Sequence, residues 1–204
     1  MKTHARVVVI GGGALGAGLL YFLTKEGWDD VVLVEKGELT SGSTWHAAGL
    51  VPHFIGGLSM AKLHHVGSEL YKSLERETGQ ATGWHGCGAI RLALNDDEVD
   101  WFNHVKGMLD YLDIECHLIG QDQIRTLHPL LTVDDVKMGF YTPTDGHTDP
   151  ASSTHAMAAG ARLGGAEIYR QTQVLDTRLS ASGEWEVITD SGSIICEHVV
   201  NAAG

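Results

Sequence analysis

Basic residues are scarce in this chain: 14 Lys and Arg stand against 26 Asp and Glu over 204 residues, a formal charge of −12. The acidic residues are scattered rather than blocked. Nucleic acid and anionic membrane are thereby excluded as partners, because both select a basic footprint. The 12 His residues are too dispersed to form one on protonation. Cysteine is scarcer still. Cys87, Cys116 and Cys196 are odd in number, far apart and without a C-x-x-C pair. They exclude a disulfide framework and a thiolate zinc site, and read as free thiols in a reducing compartment. No apolar run approaches the roughly 18 residues of a membrane span. The opening MKTHARVVVIGGG enters a strand-like run with no signal or transit segment before it. The expectation is a soluble, cytoplasmic protein with no metal site, whose 43% hydrophobic content suffices for a real core. The final HVVNAAG stops on Gly directly after an apolar run, where a fold normally continues, so the chain is expected to be part of something longer.

What is present is a βαβ unit. Arg6 to Ile10 is a β-branched run suited to a buried parallel strand. Ala14 to Lys25 carries Leu15, Leu19, Leu20 and Leu23 near helical spacing and ends at Gly27, and Val31 to Val34 is a second buried strand. Beyond a small-residue loop, helices are predicted over 58–77, 96–112, 121–127 and 151–163, with strands over 89–94 and 137–142. Asp149-Pro150 reads as an N-cap followed by Pro at the first helical position. Strands over 167–171, 173–179, 184–189 and 193–200 follow, the last of them joined by hairpin signals at Ser182-Gly183 and Asp190-Ser191-Gly192. The class is α/β with an inserted α+β region. Expected boundaries are 1–82 and 146–204 for a nucleotide-binding core and 83–145 for an insertion.

Gly11-Gly12-Gly13-Ala14-Leu15-Gly16 satisfies G-x-G-x-x-G at the strand-to-helix junction. Gly11 permits the turn, Gly13 lets backbone approach a pyrophosphate, and Gly16 lets helix and strand pack closely; the helix N-terminus at Ala14 offers N–H groups to the anion. Glu35 ends the second strand 19 residues beyond Gly16, where its carboxylate meets ribose hydroxyls and repels a 2′-phosphate. Lys36 follows it. An NAD domain normally runs into another helix here, whereas small residues continue from Gly37 to Gly49. Ser43 and Thr44 supply hydroxyls, and Ala48, Gly49 and Leu50 extend a backbone able to lie against a ligand. The stretch from Glu35 to His46 reaches roughly 35 Å when extended, enough to follow an elongated cofactor.

VVVIGGGALGAGLLYFLTKEGWDDVVLVEKGELTSGSTWHAAGL resembles the N-terminus of the flavin amine oxidoreductases related to D-amino acid and sarcosine oxidases, and most of all the dimethylglycine and sarcosine dehydrogenase group. GWHGCGAIRLA, YTPTDGHTDPASSTHAMAAGARLGGAEI and VVNAAG are similar as well, so the likeness spans nearly the whole chain. It implies a glutathione-reductase-type FAD fold with an inserted substrate region. It further implies that His46 carries the flavin covalently, and that Val174, Ala203 and Gly204 border the cofactor.

The activity implied is oxidative N-demethylation of dimethylglycine or sarcosine. Hydride passes to flavin N5, electrons go on to oxygen or an electron-transfer flavoprotein, and tetrahydrofolate is used only by a further domain. Catalytic residues are expected beyond residue 204, leaving the 204 residues alone inactive. A non-catalytic regulatory flavoprotein related to the pyruvate dehydrogenase phosphatase regulatory subunit is the alternative, and an NAD-dependent dehydrogenase a third. Asp145, His147 and Asp149 read as turn and capping residues rather than metal ligands. His64 and His65 read as surface or partly buried, Trp84 and His85 as part of the substrate region, and Arg91, Arg125 and Arg162 carry no assigned role.

Overall fold

The computed structural model describes every residue from Met1 to Gly204. The chain divides into two compact units, one of residues 1–48, 73–83 and 149–204, the other of residues 49–72 and 84–148. The expected boundaries differ from this at 49–72, which joins the second unit. The reason is pairing: β3 (Leu50–Val51) lies antiparallel to β7 (Gly146–His147), and Ala61 of helix α2 (Leu58–Thr78) is buried in the second unit's core.

The first unit is built on β1 (His4–Ile10), β2 (Val31–Val34), β8 (Glu167–Tyr169), β9 (Val174–Leu179), β10 (Trp185–Thr189) and β11 (Gly192–Asn201), in the order β8-β2-β1-β11-β10-β9. The pairs β8/β2, β2/β1 and β1/β11 are parallel, and β11/β10 and β10/β9 are antiparallel. Val7, Val8, Val9 and all four residues of β2 are buried, as strands covered on both faces require. The last hairpin joins the parallel part of the sheet, because β11 is ten residues long and its residues 195–201 lie against β1. Helix α1 (Ala14–Lys25) packs on α5 (Pro150–Leu163), closely enough that a Cβ on Gly160 would stand 2.6 Å from the Tyr21 ring. Asp149 caps α5 by accepting the Ser152 N–H at 2.7 Å, with Pro150 at the first helical position.

The second unit carries the antiparallel sheet β4 (Ala89–Ala93), β6 (Met138–Thr142) and β5 (His117–Ile119), in the order β4-β6-β5. Helix α3 (Asp96–Tyr111), capped by Asn95 accepting the Glu98 N–H, buries Phe102, Val105 and Leu109 in one cluster with Phe140. Helix α4 (Gln121–Leu127) buries Ile124 with Ile119, Val133 and Val136. No helix is long and apolar enough to cross a membrane.

Candidate cofactor site and a second-unit cavity

The fingerprint turn lies between β1 and α1. Gly11 has φ +111, and a Cβ there would stand 2.4 Å from the Ala202 carbonyl oxygen, so only glycine fits where β1 meets the end of β11. At Gly16 a Cβ would stand 1.9 Å from the Gly11 carbonyl oxygen, which holds the first turn of α1 directly on the loop. Gly13 is the N-cap and bears no side-chain cap. The Leu15 and Gly16 N–H groups have no protein acceptor, as at a helix N-terminus that receives an anion.

Glu35 reaches back under this turn. One carboxylate oxygen accepts the Gly12 N–H at 2.7 Å and the other accepts the Gly37 N–H at 2.8 Å. Both oxygens retain lone pairs for a diol. A cleft of about 230 Å³ opens beside it, lined among others by Gly11, Glu35, Lys36, Val174 and Ala203. Thr172 and Gln173 complete the wall, and the Thr172 N–H donates to the Glu35 carbonyl at 2.9 Å. At the rim, the Glu38 carboxyl is held below its ordinary range, first by the Gln171 amide and then by the Arg170 guanidinium. An unpaired helix N-terminus, a carboxylate with spare acceptor capacity and a small-residue cleft fit the adenosine and pyrophosphate of a dinucleotide.

The other predicted contacts are distributed unevenly. The Thr44 hydroxyl accepts the Ala14 N–H at 3.0 Å, so it tethers the small-residue loop to α1. Ser43, Thr44, Trp45 and His46 form a short 3-10 turn with its N-cap, in which the His46 N–H donates to the Ser43 carbonyl at 3.2 Å. His46 is exposed, no hydrogen bond engages its ring, and that ring lies 3.8 Å from the Trp45 ring centroid to centroid. Ala48 is exposed in the same unit. Gly49 and Leu50 belong instead to the second unit, because Leu50 pairs with His147. Gly204 ends the chain exposed, at φ +84, outside the cleft that Ala203 lines.

Sequence reasoning missed Thr172 and Gln173, which nothing but strand register brings to Glu35. It also missed a buried pair in the second unit. His53 and Asp145 are each 1% exposed, and the carboxylate oxygen Oδ1 accepts both the His53 N–H at 2.9 Å and the ring Nδ1 at 2.6 Å. The Thr142 hydroxyl donates to Oδ2. His64 is half-buried and His65 exposed, as expected; His53 Nε2 lies 3.3 Å from Nδ1 of His65, and His64 Nδ1 lies 2.7 Å from the Pro52 carbonyl. His85 pairs through its backbone with His147. A cavity of about 360 Å³ opens here, with Leu50, Pro52, Arg91, Asp145 and His147 among its lining.

The sequence profile of the family described as FAD dependent oxidoreductase matches residues 6–204. Human mitochondrial dimethylglycine dehydrogenase is 45% identical over 203 residues, covering 100% of this chain and 23% of that protein. The mouse mitochondrial pyruvate dehydrogenase phosphatase regulatory subunit is 35% identical over 204 residues, again covering 23% of its length. Among solved structures, L-proline dehydrogenase from P. horikoshii superposes with a TM-score of 0.91 at 28% identity, over 99% of this chain and 53% of that one. The chain thus spans about a quarter of the length of these curated relatives.

Proposed function

The chain belongs to the FAD dependent oxidoreductase family, and from that premise we propose that it supplies the FAD-binding part of an enzyme that oxidatively demethylates a small N-methyl amino acid. Dimethylglycine is favoured over sarcosine by the 45% identity with human dimethylglycine dehydrogenase. The observation that carries the reading is the cleft in which Glu35, Gly11, Val174 and Ala203 converge. FAD supplies hydride acceptance when bound. The chain's own residues orient it: the α1 N-terminus holds the pyrophosphate and Glu35 the ribose.

His46 is the point of covalent attachment in this reading. Its ring is solvent-accessible and free of hydrogen bonds, and a neutral imidazole is a nucleophile. The adjacent Trp45 ring, tilted by 35° at 3.8 Å, restricts the orientations that His46 samples. A second reading, a regulatory flavoprotein without turnover, draws on the 35% identity with the phosphatase regulatory subunit. The full-length protein distinguishes them. Anaerobic dimethylglycine or sarcosine bleaches the flavin of an enzyme and leaves that of a regulator yellow. After acid precipitation the yellow colour stays with the wild type and leaves His46→Ala; colour retained by His46→Ala would exclude this attachment point.

A further inference from the structure

Four residues other than glycine hold a left-handed backbone: Asp30, Thr40, Asp113 and Gln171. Asp30, Asp113 and Gln171 are exposed and unbranched at Cβ, where the conformation costs least. Thr40 is buried and β-branched, at φ +69, the combination that the left-handed region tolerates worst. It occupies the third place of a turn closed by the Ser41 N–H on the Glu38 carbonyl at 3.2 Å, and Leu39 before it has no positive φ. That is the pattern of a type II turn, whose third place ordinarily falls to glycine. Relaxing Thr40 to a negative φ gives a type I turn, and the change rotates the Leu39–Thr40 peptide by about 180°.

What the strain preserves is the direction of one N–H. The Thr40 N–H donates to the Gly12 carbonyl at 3.0 Å, across the fingerprint turn, and a type I turn would aim it away. Gly12 is also held from its other sides. Glu35 accepts its N–H at 2.7 Å, and a Cβ on it would stand 2.6 Å from Cδ2 of Leu39. The Gly12–Gly13 peptide is trans, so its carbonyl and its N–H point in opposite directions. With the carbonyl fixed on Thr40, the Gly13 N–H is aimed the other way, and it has no protein acceptor. Sterics alone do not secure that orientation, because the peptide lies between two glycines. A flip takes Gly13 from φ −82 to about +98, which glycine adopts without strain, and presents a carbonyl where the N–H stood.

Resting on the FAD reading above, we infer that Thr40 is a positioning residue of the cofactor turn: its strained backbone latches the Gly12–Gly13 peptide with the Gly13 N–H turned to the pyrophosphate. Strain of this kind persists where the surroundings over-determine it, and here the buried Leu39 and Thr40 side chains hold the turn in place. The Thr40 hydroxyl has no part in the latch, since no hydrogen bond engages it.

The test uses the full-length apoprotein made by cell-free translation without flavin. Thr40→Val is compared with a product carrying α-hydroxyisovaleric acid at position 40, of the same shape but with an ester in place of the amide N–H. ADP, which has the pyrophosphate, and adenosine, which lacks it, are titrated by calorimetry. Thr40→Val binds both as the wild type does. The ester weakens ADP binding roughly ten- to a hundredfold, as loss of a hydrogen bond to a charged group requires, and leaves adenosine within about twofold. Equal ADP binding by the ester and by Thr40→Val overturns the latch and leaves the FAD reading standing. Equal losses of ADP and adenosine in the ester also overturn it, because Thr40 then only supports the Glu35 cleft. Amide hydrogen exchange of the ligand-free wild type needs no nucleotide: the Thr40 N–H exchanges slowly and the Gly13 N–H promptly. A promptly exchanging Thr40 overturns the latch even if the ester fails to fold. A wild type that binds neither ADP nor FAD removes the FAD reading, while the exchange contrast still decides the orientation of the peptide.

Discussion

Placing a methyl on Gly16 tests the cofactor turn at its tightest point. An alanine Cβ at this position stands 1.9 Å from the Gly11 carbonyl oxygen, against at least 3.4 Å for an ordinary contact, so the helix must retreat from the loop by about 1.5 Å. The obstacle is backbone and cannot rotate away. Overpacking of this kind costs about 1–3 kcal/mol, and the better helix propensity of alanine returns about 1 kcal/mol. A backbone clash at 1.9 Å belongs to the upper end of that range, so the net loss is roughly 2 kcal/mol, a fall of about 4–8 °C in the unfolding temperature for a chain this size. FAD retention falls further, because the retreat carries the Leu15 and Gly16 N–H groups away from the pyrophosphate. Gly18 is the internal control, two residues further along the same helix. A Cβ there meets only Met157 Sδ at 3.5 Å, so Gly18→Ala keeps the propensity gain and melts about 2–4 °C higher with normal flavin. Differential scanning calorimetry and flavin absorbance per protein read both variants. If Gly16→Ala melts with the wild type and binds FAD in full, close packing at this turn is not what the glycine provides.

Two further outcomes concern ionisable groups. The Glu77 carboxyl is pushed down to about 2 by hydrogen bonds from Ser73, then Tyr21 and Lys25, which tie the end of α2 to α1. Its folded pKa lies below the ordinary 4.5, so its contribution is present above pH 4.5 and is lost as pH falls towards 2. Glu77 is about a third exposed and screened, and the effect stays within about 1 kcal/mol. Chemical denaturation of wild type and Glu77→Gln therefore gives midpoints that differ at pH 7 and converge near pH 2; a constant difference contradicts the network. Thiol labelling at pH 8 modifies Cys87 promptly and spares the other two. Burial pushes Cys116 up to about 11 and raises Cys196, whereas Cys87 is exposed. One equivalent reacts in the native protein and three after unfolding, and more than one prompt equivalent contradicts the buried positions.

Most long elements were legible in the sequence because their causes are local. Helix α1 begins within the fingerprint, at Ala14, and ends just short of Gly27, at φ +81, as its leucine spacing requires. The α5 cap is written in two adjacent residues, Asp149 and Pro150. β3 and β7 are two residues each and β5 is three, too short for any periodicity, and they exist because a partner strand is present. The division between residues 48 and 49 leaves no mark in the sequence for the same reason. The small-residue composition continues through Ala47-Ala48-Gly49, while the pairing of Leu50 with His147 changes the unit to which the backbone belongs.

The two candidate sites differ in legibility because they are built at different sequence ranges. Pyrophosphate and ribose recognition needs backbone amides and one acid at the ends of adjacent parallel strands, and a single βαβ unit supplies them from residues 11 to 35. The second-unit cavity is bordered by Arg91, which lies over Phe54, and by Asp145, which holds His53. Phe54 and Arg91 are 37 residues apart, and Asp145 lies 92 residues from the His53 that it clamps. Composition and spacing are silent about such pairs, and only the β4-β6 and β3-β7 pairings bring their neighbourhoods together. That difference predicts separable defects. Substitutions in the fingerprint lower flavin content, whereas Arg91→Gln, at a side chain that lies over Phe54 in the second unit, leaves a yellow protein. A variant of Arg91 that loses its flavin outright contradicts that separation, since the guanidinium lies over Phe54 of the same unit.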